Sequence, residues 1–236
     1  PGTTPPVPGK PTSGRLGRPR EKLPVSHSLW LLLPSLLFAL VTWQVVAEGP
    51  LRALDERLSR AVVASGPRAL TELLADLGSL PVALPVLAAA VGYALWRDRA
   101  GTRRYEVGWA VLAMAAVPAL VVPLKALVDR PGPLTAETGY YPSGHTATAM
   151  VAYGAAALLI TPYLRRAWAT PAAGALTLAT GVGLVLRGYH WPLDVVGSVC
   201  LSMVLLWPLG VGLLIRPGNR PRGDGPSGTR HLTPDA

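Results

Sequence analysis

Six apolar runs, each near the length needed to cross a bilayer, set the limits on what this chain can become. They cover roughly 28–47, 80–96, 107–124, 146–163, 168–186 and 193–215 of its 236 residues. The hydrocarbon core of a membrane is about 30 Å thick and a helix rises about 1.5 Å per residue, so a span takes about 20 apolar residues. In lipid each backbone N–H and C=O must find its partner inside the protein, which makes these runs helices. The second run is short and contains Pro81 and Pro85. The fifth carries Gly174, Gly181 and Gly183, a small-residue texture that lets membrane helices approach closely. Trp30, Trp43, Trp96, Trp168 and Trp191 fall near segment ends, where interfacial tryptophans collect. The expected fold is all-α: a polytopic membrane protein with six transmembrane helices.

Composition agrees. Half the residues are hydrophobic and only 15% are charged, with a mean hydropathy of +0.36. Those values exclude a disordered chain and argue against an ordinary soluble domain. A single phenylalanine argues against a large soluble core, and Cys200, the one cysteine, excludes an intrachain disulfide or a multi-cysteine metal site. Residues 1–27 and 216–236 lack apolar runs and hold 11 of the 25 prolines. They read as a basic disordered N-terminal tail and a disordered C-terminal tail around a membrane domain at 28–215.

The net charge of +9 invites a nucleic-acid reading until it is divided by side. With the N-terminus in the cytoplasm, the inner face receives 15 Lys/Arg and 5 Asp/Glu, a net of +10. The outer face receives 7 Lys/Arg and 8 Asp/Glu, a net of −1. That is the positive-inside distribution of a cell-membrane protein with both termini cytoplasmic, so the basic balance calls for no nucleic acid. On the outer side, residues 48–79 are too polar to span. Leu51, Leu54, Leu58 and Val62, then Leu70, Leu73, Leu74 and Leu77, recur at helical spacing around the break Ser65-Gly66-Pro67. Two short amphipathic helices on the outer membrane surface fit this pattern, either as a packed connector or as a gate for lipid entry.

Three polar clusters interrupt the apolar chain, all on the outer side under this topology. Lys125 to Pro133 ends the third span, Pro142-Ser143-Gly144-His145-Thr146 opens the fourth, and Arg187 to Asp194 links the fifth and sixth. Ser143 can cap the fourth helix, leaving the amides of Gly144, His145 and Thr146 to face an anion. Lys125, Arg130 and Arg187 supply positive charge suited to phosphate oxygens. His190 and Asp194 lie four apart with Pro192 between them at a helix start, so both share one face. A carboxylate on one ring nitrogen fixes the tautomer and frees the other nitrogen as a nucleophile, while His145 is available as general acid. The implied reaction is phosphoryl transfer to histidine followed by hydrolysis. His27 and His231 lie near or in the tails, Asp129 and Glu137 read as loop charges, and Cys200 reads as a packing residue. Tyr140, Tyr141 and Tyr189 either line the site or anchor at the interface.

These clusters give the chain a resemblance to the type-2 phosphatidic acid phosphatase superfamily, membrane lipid phosphatases related to vanadium haloperoxidases. The family's motifs read Lys-x6-Arg-Pro, Pro-Ser-Gly-His and Ser-Arg-x5-His-x3-Asp. The resemblance covers about 28–215, with its motifs at 125–145 and 187–194. It implies His190 as the phosphohistidine-forming nucleophile, Asp194 as its orienting partner and His145 as the acid. It also implies Lys125, Ser143 and Gly144 as phosphate-binding positions, with no metal and no cofactor. Two positions depart from the motifs. Gly132 stands where the first wants Arg, and Gly183-Leu184 stand where the third wants Ser-Arg; Arg130 and Arg187 are the nearby candidates for phosphate. The resemblance implies a membrane lipid phosphate as substrate: a polyprenyl diphosphate, phosphatidylglycerophosphate or phosphatidate. The rival readings are a non-catalytic lipid-phosphate binding or transport protein on the same fold, and a vanadate-dependent haloperoxidase.

Overall fold

The computed structural model describes residues 25–98, 101–164 and 168–214. The basic tails and Arg165–Arg166, which carry much of the inner charge, lie outside the described residues. Among the described residues eight α-helices follow in order: α1 Val25–Val46, α2 Pro50–Val62, α3 Arg68–Asp76, α4 Leu80–Arg97, α5 Arg104–Val128, α6 Gly144–Ile160, α7 Ala169–Leu186 and α8 Pro192–Leu214. No strand occurs among the described residues. The six helices other than α2 and α3 are long and apolar enough to cross a membrane. The expected third run, 107–124, extends to 104–128 as α5, because Arg104, Tyr105 and Glu106 join its first turn and Lys125 its last. Pro81 costs α4 little, since an N–H in the first turn has no helical partner to lose.

One helix is central. Within α6 61% of the apolar window is buried inside the protein, against 17–39% in the other spans. Its buried residues are mostly small and lie all around the axis, among them Ala147, Ala149, Ala152, Ala155 and Ala157. Short side chains let α4, α5, α7 and α8 all pack on it, with Leu87, Met114, Val117, Leu159, Leu206 and Leu209 filling between. The outer spans instead expose large apolar side chains such as Leu29, Leu33, Leu36, Val122 and Leu178, as lipid requires. α1 leans on α8, where Val41 and Val45 meet Tyr141.

The expected amphipathic pair is present as α2 and α3, broken at Gly66, whose φ of +86° suits glycine. The buried face of α2 is polar, formed by Asp55 and Ser59, whereas Leu51, Leu54 and Leu58 point outward. α3 lies across α7 at a close approach permitted by Gly183. A Cβ there would collide with the Ala75 amide and come within 2.7 Å of the Leu74 Cβ. The motif serine is therefore absent for a packing reason: the α3 backbone occupies its place.

Hydrogen bonds to backbone carbonyls gather one set of helix ends. The Ala64 amide donates to the Leu186 carbonyl, Ser143 to Asp194, and the Trp191 indole to the Pro131 carbonyl. The ends of α2, α5 and α7 thus meet the starts of α6 and α8. Gly183→Val should force α3 off α7 and cost about 1–3 kcal/mol, read as a lower unfolding temperature of the detergent-solubilised protein; Gly92→Ala, with open space around its Cβ position, should not.

Candidate active site

His190 sits in the turn between α7 and α8, and Asp194 in the first turn of α8. The Nδ1 of His190 lies 3.2 Å from Oδ2 of Asp194, the pairing that their spacing predicts. The same oxygen accepts the Trp191 amide at 3.1 Å, and Oδ1 accepts Nη1 of Arg130 at 2.7 Å. Asp194 is 0% exposed, so each of these bonds is formed away from solvent. The imidazole is held through Nδ1, which leaves Nε2 for a reaction partner.

Arg130 does not have the position expected of a phosphate ligand. It is 1% exposed, and its second terminal nitrogen donates to Oδ2 of Asp55 at 2.6 Å. Its guanidinium also lies over the Trp191 ring, 5.2 Å from the centroid. Both terminal nitrogens are thus committed to carboxylates, one of them the partner of His190. Asp55 uses its other oxygen to accept the Leu193 amide at 2.8 Å, capping the start of α8 from α2. Burial pushes the Asp55 carboxyl above its ordinary value, and the Arg130 hydrogen bond and charge oppose that rise.

The second motif is built largely as expected. Ser143 caps α6, accepting the Thr146 amide at 3.3 Å and the Thr146 hydroxyl at 3.1 Å. The Thr146 amide is consequently taken, and Ser143 is 0% exposed, so this serine shapes the helix start rather than facing a ligand. The amides of Gly144 and His145 remain as the first-turn donors that no helical carbonyl can satisfy. Gly144 has open space on its Cβ side, with Val121 the nearest atom at 3.9 Å. His145 is solvent-exposed and its carbonyl packs against Gly78.

Lys125, at the last turn of α5, donates to the Gly139 carbonyl at 2.7 Å and lies 5.9 Å from the centre of the Tyr140 ring. Tyr140 in turn meets His190 edge-on at 5.7 Å. That ring explains the first departure: a Cβ on Gly132 would fall 2.5 Å from Tyr140 Cζ. A tyrosine thus covers the point from which the motif arginine would grow. At the second departure Leu184 is 1% exposed, and its carbonyl accepts the Tyr189 amide. Arg187, the expected substitute, donates to Glu72 of α3 at 3.3 Å and lies against the Tyr189 ring.

The structure therefore joins His190, Asp194 and Arg130 directly and adds Asp55, which sequence reasoning missed. Only the helical spacing of Asp55 with Ser59 hinted that α2 has a polar inward face. Lys125, Gly144 and His145 border one cavity of about 1180 Å³ that continues between α4 and α5. Its walls are apolar along their length, with Leu84, Leu87, Val91, Val111, Met114 and Val117 among them. Tyr141 lies beneath the site, fully buried, its hydroxyl 2.7 Å from Thr42 on α1. Burial raises its phenol to about 12, which keeps it neutral.

Residues 134–212 match the family model of the PAP2 superfamily. That span contains the Pro-Ser-Gly-His and His-x3-Asp residues but begins after Lys125 and Arg130. The fold is similar to the crystal structure of the first transmembrane PAP2 type phosphatidylglycerolphosphate phosphatase from Bacillus subtilis. The TM-score is 0.67 at 18% sequence identity, covering 80% of this chain and 98% of that one. No curated protein matches the sequence.

Removing Asp194 would take the partner from one guanidinium nitrogen of Arg130, from the His190 ring and from the Trp191 amide, all of them buried. Asp194→Ala should cost about 3–5 kcal/mol of stability, and Asp194→Asn, which keeps the hydrogen-bonding shape, markedly less. Thermal unfolding of the two purified variants beside the wild type measures the difference.

Proposed function

We propose that this chain, whose residues 134–212 and overall fold support the type-2 phosphatidic acid phosphatase superfamily, is an integral-membrane lipid phosphate phosphatase. The observation that carries the reading is continuity: the cavity that begins at Lys125, Gly144 and His145 runs on as an apolar groove between α4 and α5. Along α5 it extends from Lys125 to Val111, about 21 Å at 1.5 Å per residue. A ligand that fits has an anionic head and a long apolar chain.

The chemistry follows from the groups at the head end. The Lys125 ammonium and the Gly144 and His145 amides receive the phosphate. Nε2 of His190 attacks phosphorus in line, forming a P–N bond as the P–O bond to the lipid breaks. His145 gives its proton to the departing oxygen. Water then attacks the phosphohistidine, His145 takes up the water's proton, and inorganic phosphate leaves. No step calls on a metal. In this scheme Arg130 acts through Asp194 and not on phosphate, and Ser143 acts as the cap that aims the amides. Arg187 is shared with Glu72 and is a phosphate ligand only if that pair opens.

The substrates in view are a polyprenyl diphosphate, phosphatidylglycerophosphate or phosphatidate. With the termini in the cytoplasm the site lies on the outer face of the cell membrane, which favours a polyprenyl carrier whose diphosphate is released there. A second reading has its own observation. With Gly132 and Leu184 in place of arginines and Arg130 neutralised, the site has less free positive charge than the motifs provide, as suits a protein that binds lipid phosphate without turnover.

Purified protein in mixed micelles, assayed for phosphate release across these three lipids with a chelator present, separates the readings. Release from at least one lipid, unaffected by chelator and reduced at least about 1000-fold in His190→Ala, is the result expected of the phosphatase. Binding of the lipids without release, in the wild type and in His190→Ala alike, would establish the non-catalytic reading. Filling the groove with Ala88→Trp should raise KM for the long-chain substrate about tenfold or more while leaving hydrolysis of a short, water-soluble phosphate ester unchanged, since only the long chain enters the groove.

A further inference from the structure

The first amphipathic helix, α2, sends one carboxylate into the site, and nothing in the motifs accounts for it. Asp55 is 3% exposed on a helix that presents its leucines outward. It is joined to the nucleophile's partner by two short charge-assisted bonds, Asp55 to Arg130 at 2.6 Å and Arg130 to Asp194 at 2.7 Å. Its second oxygen holds the Leu193 amide, the residue next to Asp194. Asp55 thereby fixes Asp194 twice, through the guanidinium and through the backbone.

The geometry points to Asp55 as a positioning residue for the phosphoryl-transfer reaction, acting through Arg130 to set both the orientation and the charge of the Asp194–His190 pair. This rests on the phosphatase reading above. Two carboxylates and one guanidinium leave one excess negative charge beside the imidazole. That excess favours the positive charge that develops on the ring as Nε2 attacks phosphorus.

The other charges near His190 are placed as follows. Glu56 of α2 lies 4.0 Å from Arg130 and is already bonded to Arg52. Lys125 of α5 and His145 of α6 border the head end of the cavity. Asp76 ends α3, and Glu72 of α3 is paired with Arg187. Tyr140 meets the ring by its edge. Among these, only Arg130 links a second carboxylate to Asp194.

A purely structural bridge and a charge-setting one give different results. The test is the pH dependence of kcat/KM for phosphate release by the full chain in micelles, comparing wild type, Asp55→Asn, Arg130→Gln and Arg130→Lys. Its acidic limb is the readout of a change in charge beside the Asp194–His190 pair. Asp55→Asn removes a negative charge and should move that limb to lower pH by about 1 unit, with kcat lower and KM kept. Arg130→Gln removes the positive charge between two carboxylates and should move it to higher pH by a similar amount. Arg130→Lys keeps the charge and loses the fork, so it should lower kcat without moving the limb. Limbs that coincide with wild type in both Asp55→Asn and Arg130→Gln, with kcat falling alongside the unfolding temperature, would overturn the proposal. Should Asp55→Asn fail to fold, the Arg130 pair decides: equal limbs for Gln and Lys overturn it and separated limbs support it. A wild type that releases phosphate from none of the lipids overturns the phosphatase reading, and this inference with it.

Discussion

A guanidinium with almost no solvent exposure, held between two carboxylates, is the interaction on which the site depends. Arg130 reaches Asp55 on one side and Asp194 on the other, and neither acid is more than 3% exposed. Burying three charges is costly, and the arrangement persists because every terminal nitrogen and carboxylate oxygen in it has a partner. Through it the loop after α5, the start of α8 and the interfacial helix α2 become one unit. Loss of Arg130 would leave two carboxylates unpaired in the interior, and loss of either acid would leave one guanidinium nitrogen unbonded, so the site is locked to the fold around it.

The remainder of the architecture shapes an apolar cavity whose polar end lies at Lys125, Gly144 and His145. An alanine-lined α6 lets its neighbours come close on several sides, and Gly144 and His145 in the first turn of the same helix border the cavity. α4 and α5 both pack on α6 yet leave an apolar cavity between them. The polar end and the apolar length of one cavity are therefore set by the same packing, without a separate binding domain.

The spans were legible because lipid imposes a single solution, helices of about 20 apolar residues, and each expected run corresponds to a helix. The His190–Asp194 pair and the Ser143 cap were legible because they are local: four residues on one helix face, and a residue three before the amide it caps. The partners of Arg130 were not legible, for the opposite reason. Asp55 lies 75 residues away, and no local spacing reports a partner at that distance. The charge on Arg130 suggested a ligand for anions, but its destination was decided by tertiary contacts. Gly132 and Gly183 belong with it: both looked like losses from a motif, and both are positions where a neighbour has taken the space.

Those two glycines have a consequence for how this chain can change. Arginine at 132 would place a side chain where the Tyr140 ring already lies, and serine at 183 would drive into the backbone of α3. Either substitution fits only once a neighbour withdraws, so its effect on the fold cannot be separated from that neighbour. Each glycine is in this sense half of a pair, exchangeable only together with the side chain or backbone that fills the space beside it.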